Sequence, residues 1–174
     1  MAKLILAVGL TGAGKSTYCH QVASTERAMV FSIDHWMKSL FWQDMPKDPD
    51  MKWFQENSAW YMERIERCEK FIAEETKSLL SRDVSVILDL GFTAKSHRLQ
   101  YLELGKSVGS ETEIHFLDVP GDERWRRVQK RNEQKGSTFS MHVSREMFDY
   151  INEIFETIDP TEKKLCQRFV EVKS

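Results

Sequence analysis

The chain has little of what marks several common protein classes. Its 174 residues include three cysteines, Cys19, Cys68 and Cys166. They are odd in number, far apart and without a C-x-x-C pair, which fits neither a disulfide framework nor a structural zinc site and suits reduced, buried thiols. The five histidines, His20, His35, His97, His115 and His142, show no ligand spacing, so a transition-metal centre is not expected. No apolar run approaches the roughly 18 to 20 residues needed to span a bilayer. The stretch from Leu4 to Leu10 is at the short limit for a signal-peptide core and leads into Thr11-Gly12 with no Ala-x-Ala cleavage site, so a cytoplasmic protein is expected. Nor is there an excess of charge of one sign. A formal net charge of -2 argues against bulk electrostatic binding of nucleic acid.

What is present is ordinary globular composition, 41% apolar and 30% charged. That is enough for one core and short for two, so residues 1–174 read as a single domain, a monomer or dimer. No internal repeat, low-complexity tract or interdomain linker is visible.

Short apolar runs alternate with longer helical stretches. Leu4 to Val8 is a continuous apolar run, as expected of a strand buried on both faces. A helix follows from Lys15 to Ala23, then a strand over Ala28 to Ile33 that ends at Asp34. From His35 to Asn57 the chain reads as irregular and aromatic, with Pro46 and Pro49. Ser58 to Leu80 reads as a long helix, because Tyr61, Ile65, Cys68 and Ile72 share one face. Strands are predicted at Val84–Leu90, Glu113–Val119 and Cys166–Val172. Helices are predicted at Ala94–Val108, Asp122–Gln134 and Ser144–Thr157, and a loop at Gly136–Met141. Such alternation calls for a parallel sheet covered by helices on both faces.

Gly9-Leu10-Thr11-Gly12-Ala13-Gly14-Lys15-Ser16 is a complete G-x-x-x-x-G-K-[ST] motif, followed by Thr17. Its glycines permit backbone angles at which successive N–H groups point at one anion, and the helix starting near Lys15 adds its N-terminal partial charge there. Lys15 can bridge the β- and γ-phosphates, and Ser16 can ligate magnesium. This motif, placed between a buried strand and a helix, is a strong sign of nucleotide binding.

The other site readings come from strand ends, where side chains of such sheets face the ligand crevice. Asp34 is either a general base for an attacking hydroxyl or a helix cap. Val86-Ile87-Leu88-Asp89 has the pattern of a Walker B strand. Asp89 is preferred over Asp118 as a group near magnesium or acceptor, since Gly91, Thr93 and His97 surround it. Arg124, Arg127 and Arg131 share a helix face, either stacking on adenine and neutralising phosphate or pairing in solvent with Asp122, Glu123 and Glu133. The aromatic segment is either a packed cap or a wall of the acceptor pocket. At least one of Trp36 and Trp42 is expected to touch substrate, with His35 and His97 nearby.

With these residues, Ser32-x-Asp34, Leu88-Asp89-Leu90-Gly91-Phe92 and Arg127-x-x-x-Arg131 in view, the chain resembles a bacterial group of small P-loop proteins. They are known as AAA family ATPases or predicted kinases. The group is similar to the kinase domain of polynucleotide kinase, to zeta toxins and to chloramphenicol phosphotransferase. The stretches Val86–Arg98, Leu117–Pro120 and Arg131-Asn132 resemble it in particular, and the likeness runs over nearly the whole chain. The resemblance implies a nucleoside-kinase-like P-loop NTPase fold with a five-stranded parallel sheet of order 2-3-1-4-5. It also implies a mobile helical lid over about 122–150, Asp34 as catalytic base, and Arg127 and Arg131 as lid arginines. No acceptor is implied.

The function expected is transfer of the γ-phosphate of ATP, with magnesium, to a hydroxyl of a small molecule or nucleoside-like acceptor. The alternatives are a nucleotide-dependent switch acting through a protein partner and, more weakly, a nucleic-acid 5′-end kinase. The absence of an N-K-x-D motif speaks against a GTPase.

Overall fold

A computed structural model describes residues 1–135 and 141–173. The chain runs β1 (Lys3–Val8), α1 (Lys15–Glu26), β2 (Met29–Ser32), α2 (Ile33–Phe41), α3 (Met51–Glu56) and α4 (Ser58–Leu80). It continues through β3 (Val86–Asp89), α5 (Lys95–Ser107), β4 (Glu111–Asp118), α6 (Gly121–Gln134), α7 (Arg145–Ile154), α8 (Pro160–Leu165) and β5 (Arg168–Lys173).

The five strands form one parallel sheet in the order β2-β3-β1-β4-β5. β1 lies in the middle because it is apolar on both sides, and every residue from Leu4 to Val8 is buried. Leu4, Leu6 and Val8 join Ile72 of α4 and Leu102 of α5 on one face. Ile5 and Ala7 pack with Ile87 and with Cys19 of α1 on the other. α5 sits close to the sheet at Gly105, where a Cβ would come within 2.5 Å of the Thr112 methyl. All three cysteines are buried and unpaired. Among the described residues no helix is long and apolar enough to cross a membrane.

Two expectations need correction. The strand predicted over Ala28–Ile33 stops at Ser32, and Asp34 lies in the first turn of α2 rather than at a strand end. The segment read as irregular from His35 is helical through Phe41, with a 3-10 turn at Trp42–Asp44 and then α3. The physical reason is visible in hindsight. Ile33, Trp36, Met37, Leu40 and Phe41 follow a helical i, i+3, i+4, i+7, i+8 pattern, and Ser32 caps the helix by accepting the His35 N–H.

The helix α8 was not expected at all. Its start carries a readable signature: Asp159 at the cap, Pro160 next and Glu162 at the third position, forming a capping box. The loop predicted at Gly136–Met141 falls, for 136–140, outside the described residues.

Candidate active site

The loop from Gly9 to Ser16 wraps the C-terminal end of β1 and turns into α1. Gly12 (φ 84°) and Gly14 (φ 92°) both occupy the left-handed region. At Gly12 a side chain is excluded twice over, since a Cβ would also lie 2.4 Å from the Arg124 carbonyl oxygen. Within the loop the Ala13 N–H donates to the Leu10 carbonyl at 3.0 Å. Lys15 Nζ donates to the Gly9 carbonyl at 2.8 Å, which folds the ammonium back over the loop. Thr17 is exposed on the first turn of α1.

Arg124, Arg127 and Arg131 do share the inward face of α6, yet their surroundings differ. Arg124 is buried and holds the scaffold. It donates to the Val119 carbonyl at 3.0 Å, the Thr11 carbonyl at 3.3 Å and Asn152 Oδ1 at 2.9 Å, with its guanidinium over the Phe148 ring. This arginine is a clamp on the phosphate loop, not part of a row available to adenine. Arg127 is oriented by Glu123 at 2.8 Å and reaches the Ala13 carbonyl at 3.5 Å, so it lies directly over the loop. Arg131 is partly buried, and its Nε is buried without a hydrogen-bond partner. Burial lowers its pKa, and the charge of Asp34 opposes that shift. An unpartnered guanidinium nitrogen beside the cleft is suited to an anion.

The register of the sheet supplies the acids. Ser32 pairs with Asp89, so the ends of β2 and β3 stand side by side and deliver Asp34 and Asp89 to one cleft. Asp89 is buried, and its Oδ2 accepts from Ser16 Oγ at 3.1 Å. Asp118, at the exposed end of β4, lines neither of the two cavities described below.

A hydroxyl and a carboxylate, both hard oxygen donors, are the ligand chemistry that magnesium takes alongside phosphate oxygens and water. A second observation fits the same ion. Burial first, and the Asp89 charge second, raise the pKa of both Asp34 and Cys19, so the Asp89 carboxylate acts on its neighbours in this corner of the cleft, with Lys15 opposing it. Ser16 and Asp89 would hold the ion, which when bound neutralises charge on the phosphate oxygens.

Two cavities meet here. The first is a cleft of about 170 Å³ in which Gly9, Thr11 and Lys15 face Asp34 and Asp89, with Gly91, Thr93 and Ile151 at its sides. The second is a shallow, open hollow walled by Met37, Trp42, Met45, Tyr61 and Met141, with Lys38 at its edge. Asp34 lines both. As a residue Asp34 is exposed at this junction. The protein around its carboxyl first, and Asp89 second, push its pKa above the ordinary carboxylate value, against the opposing pull of Lys15 and Arg131, and its openness to solvent moderates the shift. Tyr61 is pushed up to about 12, by burial first and by Asp34 second. Its hydroxyl therefore stays protonated.

Thr93 is held in the cleft by a part of the chain that sequence reading left unassigned. Gly91 (φ 84°) and Phe92 (φ 43°) turn the β3–α5 loop sharply. The buried Arg98 then donates to the Phe92 carbonyl at 2.9 Å and the Thr93 carbonyl at 3.2 Å. Arg98 is itself fixed by a bidentate pair to buried Glu162 on α8, at 2.7 and 2.9 Å. The Glu156 N–H donates to the Thr93 carbonyl at 2.9 Å, and Lys95 pairs with Asp159.

The remaining expected contacts are elsewhere. Trp36 packs against Phe31 and Phe71, because its place on α2 faces α4. His35 is exposed, one helical position round from the cleft. His97 lies a turn into α5 between Phe92 and Tyr101. Its Nε2 is 3.0 Å from Glu69 but out of line for a hydrogen bond, so the contact is an approach of charge and no more. Of the two tryptophans, Trp42 is the one beside Asp34. Tyr61 had been read only as part of a core helix face. Met37, Met45 and Met141 were not singled out, because nothing local separates a pocket methionine from a core one.

The model of the AAA domain family matches residues 4–157. The chain belongs to that family. Comparison with curated proteins finds no match. Among solved structures, a protein of Chloroflexus aurantiacus provisionally named a kinase is similar at a TM-score of 0.70 and 16% identity. That alignment covers 99% of this chain and 88% of the other. Chaetomium thermophilum Kti12, solved with ADP-AlF3, is similar at 0.63 and 14%, over 98% of this chain and 88% of that one. Shikimate kinase from Acinetobacter baumannii, solved with shikimate, is similar at 0.58 and 17%, over 100% and 86%. At these identities the likeness is one of fold: the sheet order and the phosphate loop are those of P-loop kinases.

Proposed function

We propose that this protein is an ATP- and magnesium-dependent phosphotransferase that acts on a hydroxyl of a small-molecule acceptor. The observation that carries the reading is the position of Asp34, shared between the phosphate-loop cleft and a second hollow. A nucleotide-binding switch needs the cleft alone; a kinase needs an acceptor space with a base at the junction. Kti12 with ADP-AlF3 and shikimate kinase with shikimate support the two halves of the reading, nucleotide and acceptor, on one fold.

In this proposal the loop amides, Lys15 and the amino end of α1 hold the triphosphate. The acceptor oxygen attacks the γ-phosphorus, the bond from that phosphorus to the β–γ bridging oxygen breaks, and ADP leaves. The acceptor proton passes to Asp34, whose raised pKa makes it a better base than an ordinary carboxylate. Arg127 over the loop and Arg131 beside Asp34 stabilise the charge on the transferring group. Thr93 and Asp89 border the transfer point.

The test is ATP consumption by the purified protein with pooled hydroxyl-bearing acceptors, with the phosphorylated product identified by mass. A product 80 Da heavier than its acceptor, formed in step with ADP, is expected from addition of one phosphoryl group. ATP hydrolysis unaffected by every pool would instead favour a switch working through a protein partner.

A further inference from the structure

The hollow on the far side of Asp34 carries information about the acceptor. Its walls are thioether and aromatic carbon: Met37 on α2, Trp42 and Met45 beyond it, Tyr61 on α4, and Met141. Sugars, nucleotides and carboxylate-bearing acceptors need a pocket that returns most of their lost water hydrogen bonds, with amides or guanidinium groups at fixed places. Among the described lining residues there is no Arg, Asn or Gln. The hydrogen-bonding groups are the Asp34 carboxylate, the Tyr61 hydroxyl and, at the exposed edge, Lys38.

Two of these, Asp34 and Tyr61, have a defined use. Tyr61 shares the electrostatic environment of Asp34 and keeps its proton. It can therefore donate to an acceptor oxygen, while Asp34 accepts from that same hydroxyl. Together they satisfy one hydroxyl, and among the described lining residues only Lys38, at the exposed edge, offers a further polar group. A negatively charged acceptor would bring its charge up to Asp34, and Asp89 lies in the adjoining cleft. Methionine walls also tolerate variation in the shape of an apolar body, since the side chain is unbranched and polarizable.

We infer that the acceptor is an uncharged, predominantly apolar alcohol whose single reacting hydroxyl sits between Asp34 and Tyr61, and not a polyol, a nucleoside or a nucleic-acid end. The inference rests on the kinase reading above and names its substrate class.

The experiment sets two panels of acceptors against the wild-type protein with magnesium and ATP. One holds alkyl and arylalkyl primary alcohols of six to twelve carbons. The other holds hexoses, nucleosides and an oligonucleotide with a free 5′-hydroxyl. The apolar alcohols should be phosphorylated with a kcat/KM about 100-fold above that of the polar panel, because an unmatched polar acceptor leaves several buried groups unpaired. Met45→Gln keeps the length of the side chain and places an amide in the wall. It should lower kcat/KM for the best alcohol by about tenfold.

Phosphorylation of a hexose, nucleoside or oligonucleotide at equal or higher efficiency would overturn the acceptor class and leave the kinase reading standing. ATP hydrolysis with no phosphorylated product from either panel would overturn both. An unchanged kcat/KM in the well-folded Met45→Gln protein would remove the hollow as the acceptor site.

Discussion

The phosphate-loop cleft and the hollow beside it share Asp34, but they are built by different means. The cleft is built around backbone: loop amides, the amino end of α1 and two left-handed glycines, with charges brought to it from several parts of the chain. The hollow is made of side chains from α2, the turn after it, α4 and Met141, about a hundred positions further along. A backbone device works in any protein that can form it, so its sequence is constrained residue by residue. A side-chain pocket is shaped to one ligand, so its residues can be anything that fits. The difference explains why a match over residues 4–157 identifies the family and yet names no acceptor.

The comparison is broken most severely at Lys15, which serves the cleft alone. Lys15→Ala should reduce ATP turnover by more than about 10³-fold with the circular dichroism spectrum unchanged, since it removes charge at the phosphates and little packing. Turnover close to wild type would mean the loop does not hold the reacting phosphate.

Asp34 joins the two regions, and its substitution should separate them. Asp34→Asn should lower transfer to the acceptor by about 10² to 10⁴-fold with the ATP dissociation constant nearly unchanged. Helix capping is not a competing explanation, because Ser32 makes that contact. The same variant has a stability signature. A carboxyl whose folded pKa is raised adds stability below its unfolded value and loses that contribution as pH rises through the folded one. The Asn variant, neutral throughout, should therefore melt higher than wild type at pH 8, and the gap should close towards pH 4. By the same sign, the wild-type transfer rate should fall as pH drops through the raised pKa of Asp34. An Asn variant that melts no higher at pH 8 would mean that Asp34 is not held in an unfavourable charged state.

A third substitution asks how firmly the cleft wall is held. Arg98→Met leaves Glu162 buried without its ionic partner and removes a donor from the carbonyls of Phe92 and Thr93, the second still held by the Glu156 N–H. It should cost about 3 to 5 kcal/mol in denaturant unfolding. A loss below about 1 kcal/mol would mean that the α8 strap is not what fixes Thr93. The smallest effect belongs to the cap of α2, the helix that carries both Asp34 and Met37. Ser32→Ala should cost about 0.5 to 2 kcal/mol, measured in the same way, while Ser32→Asp should cost little.

Several elements could be read before any fold was known, and others could not, for reasons visible in particular residues. The run Leu4–Val8 announced a central strand because burial on both faces removes every polar position. Ser58–Leu80 announced a helix through the spacing of Tyr61, Ile65, Cys68 and Ile72. Asp89 was legible because it ends an apolar strand. α2 was missed although its apolar residues have helical spacing, because the aromatic and proline content of the wider segment suggested a loop. α8 was missed although Asp159-Pro160-Thr161-Glu162 is a readable capping box.

By itself, then, the sequence determined the phosphate loop, the alternating architecture and the acid that ends β3, since each follows from contacts made within a few residues or from a two-sided apolar pattern. Tertiary structure alone decided the rest. It made Arg124 a buried clamp while its neighbours on the same helix face reach the cleft, and it sent Trp36 to the core and Trp42 to the hollow. It brought Tyr61 and Met141 to Asp34 and put Glu162 behind Thr93. Those outcomes depend on how far α4, α6 and α8 stand from the sheet, and helix periodicity reports direction around an axis but not depth.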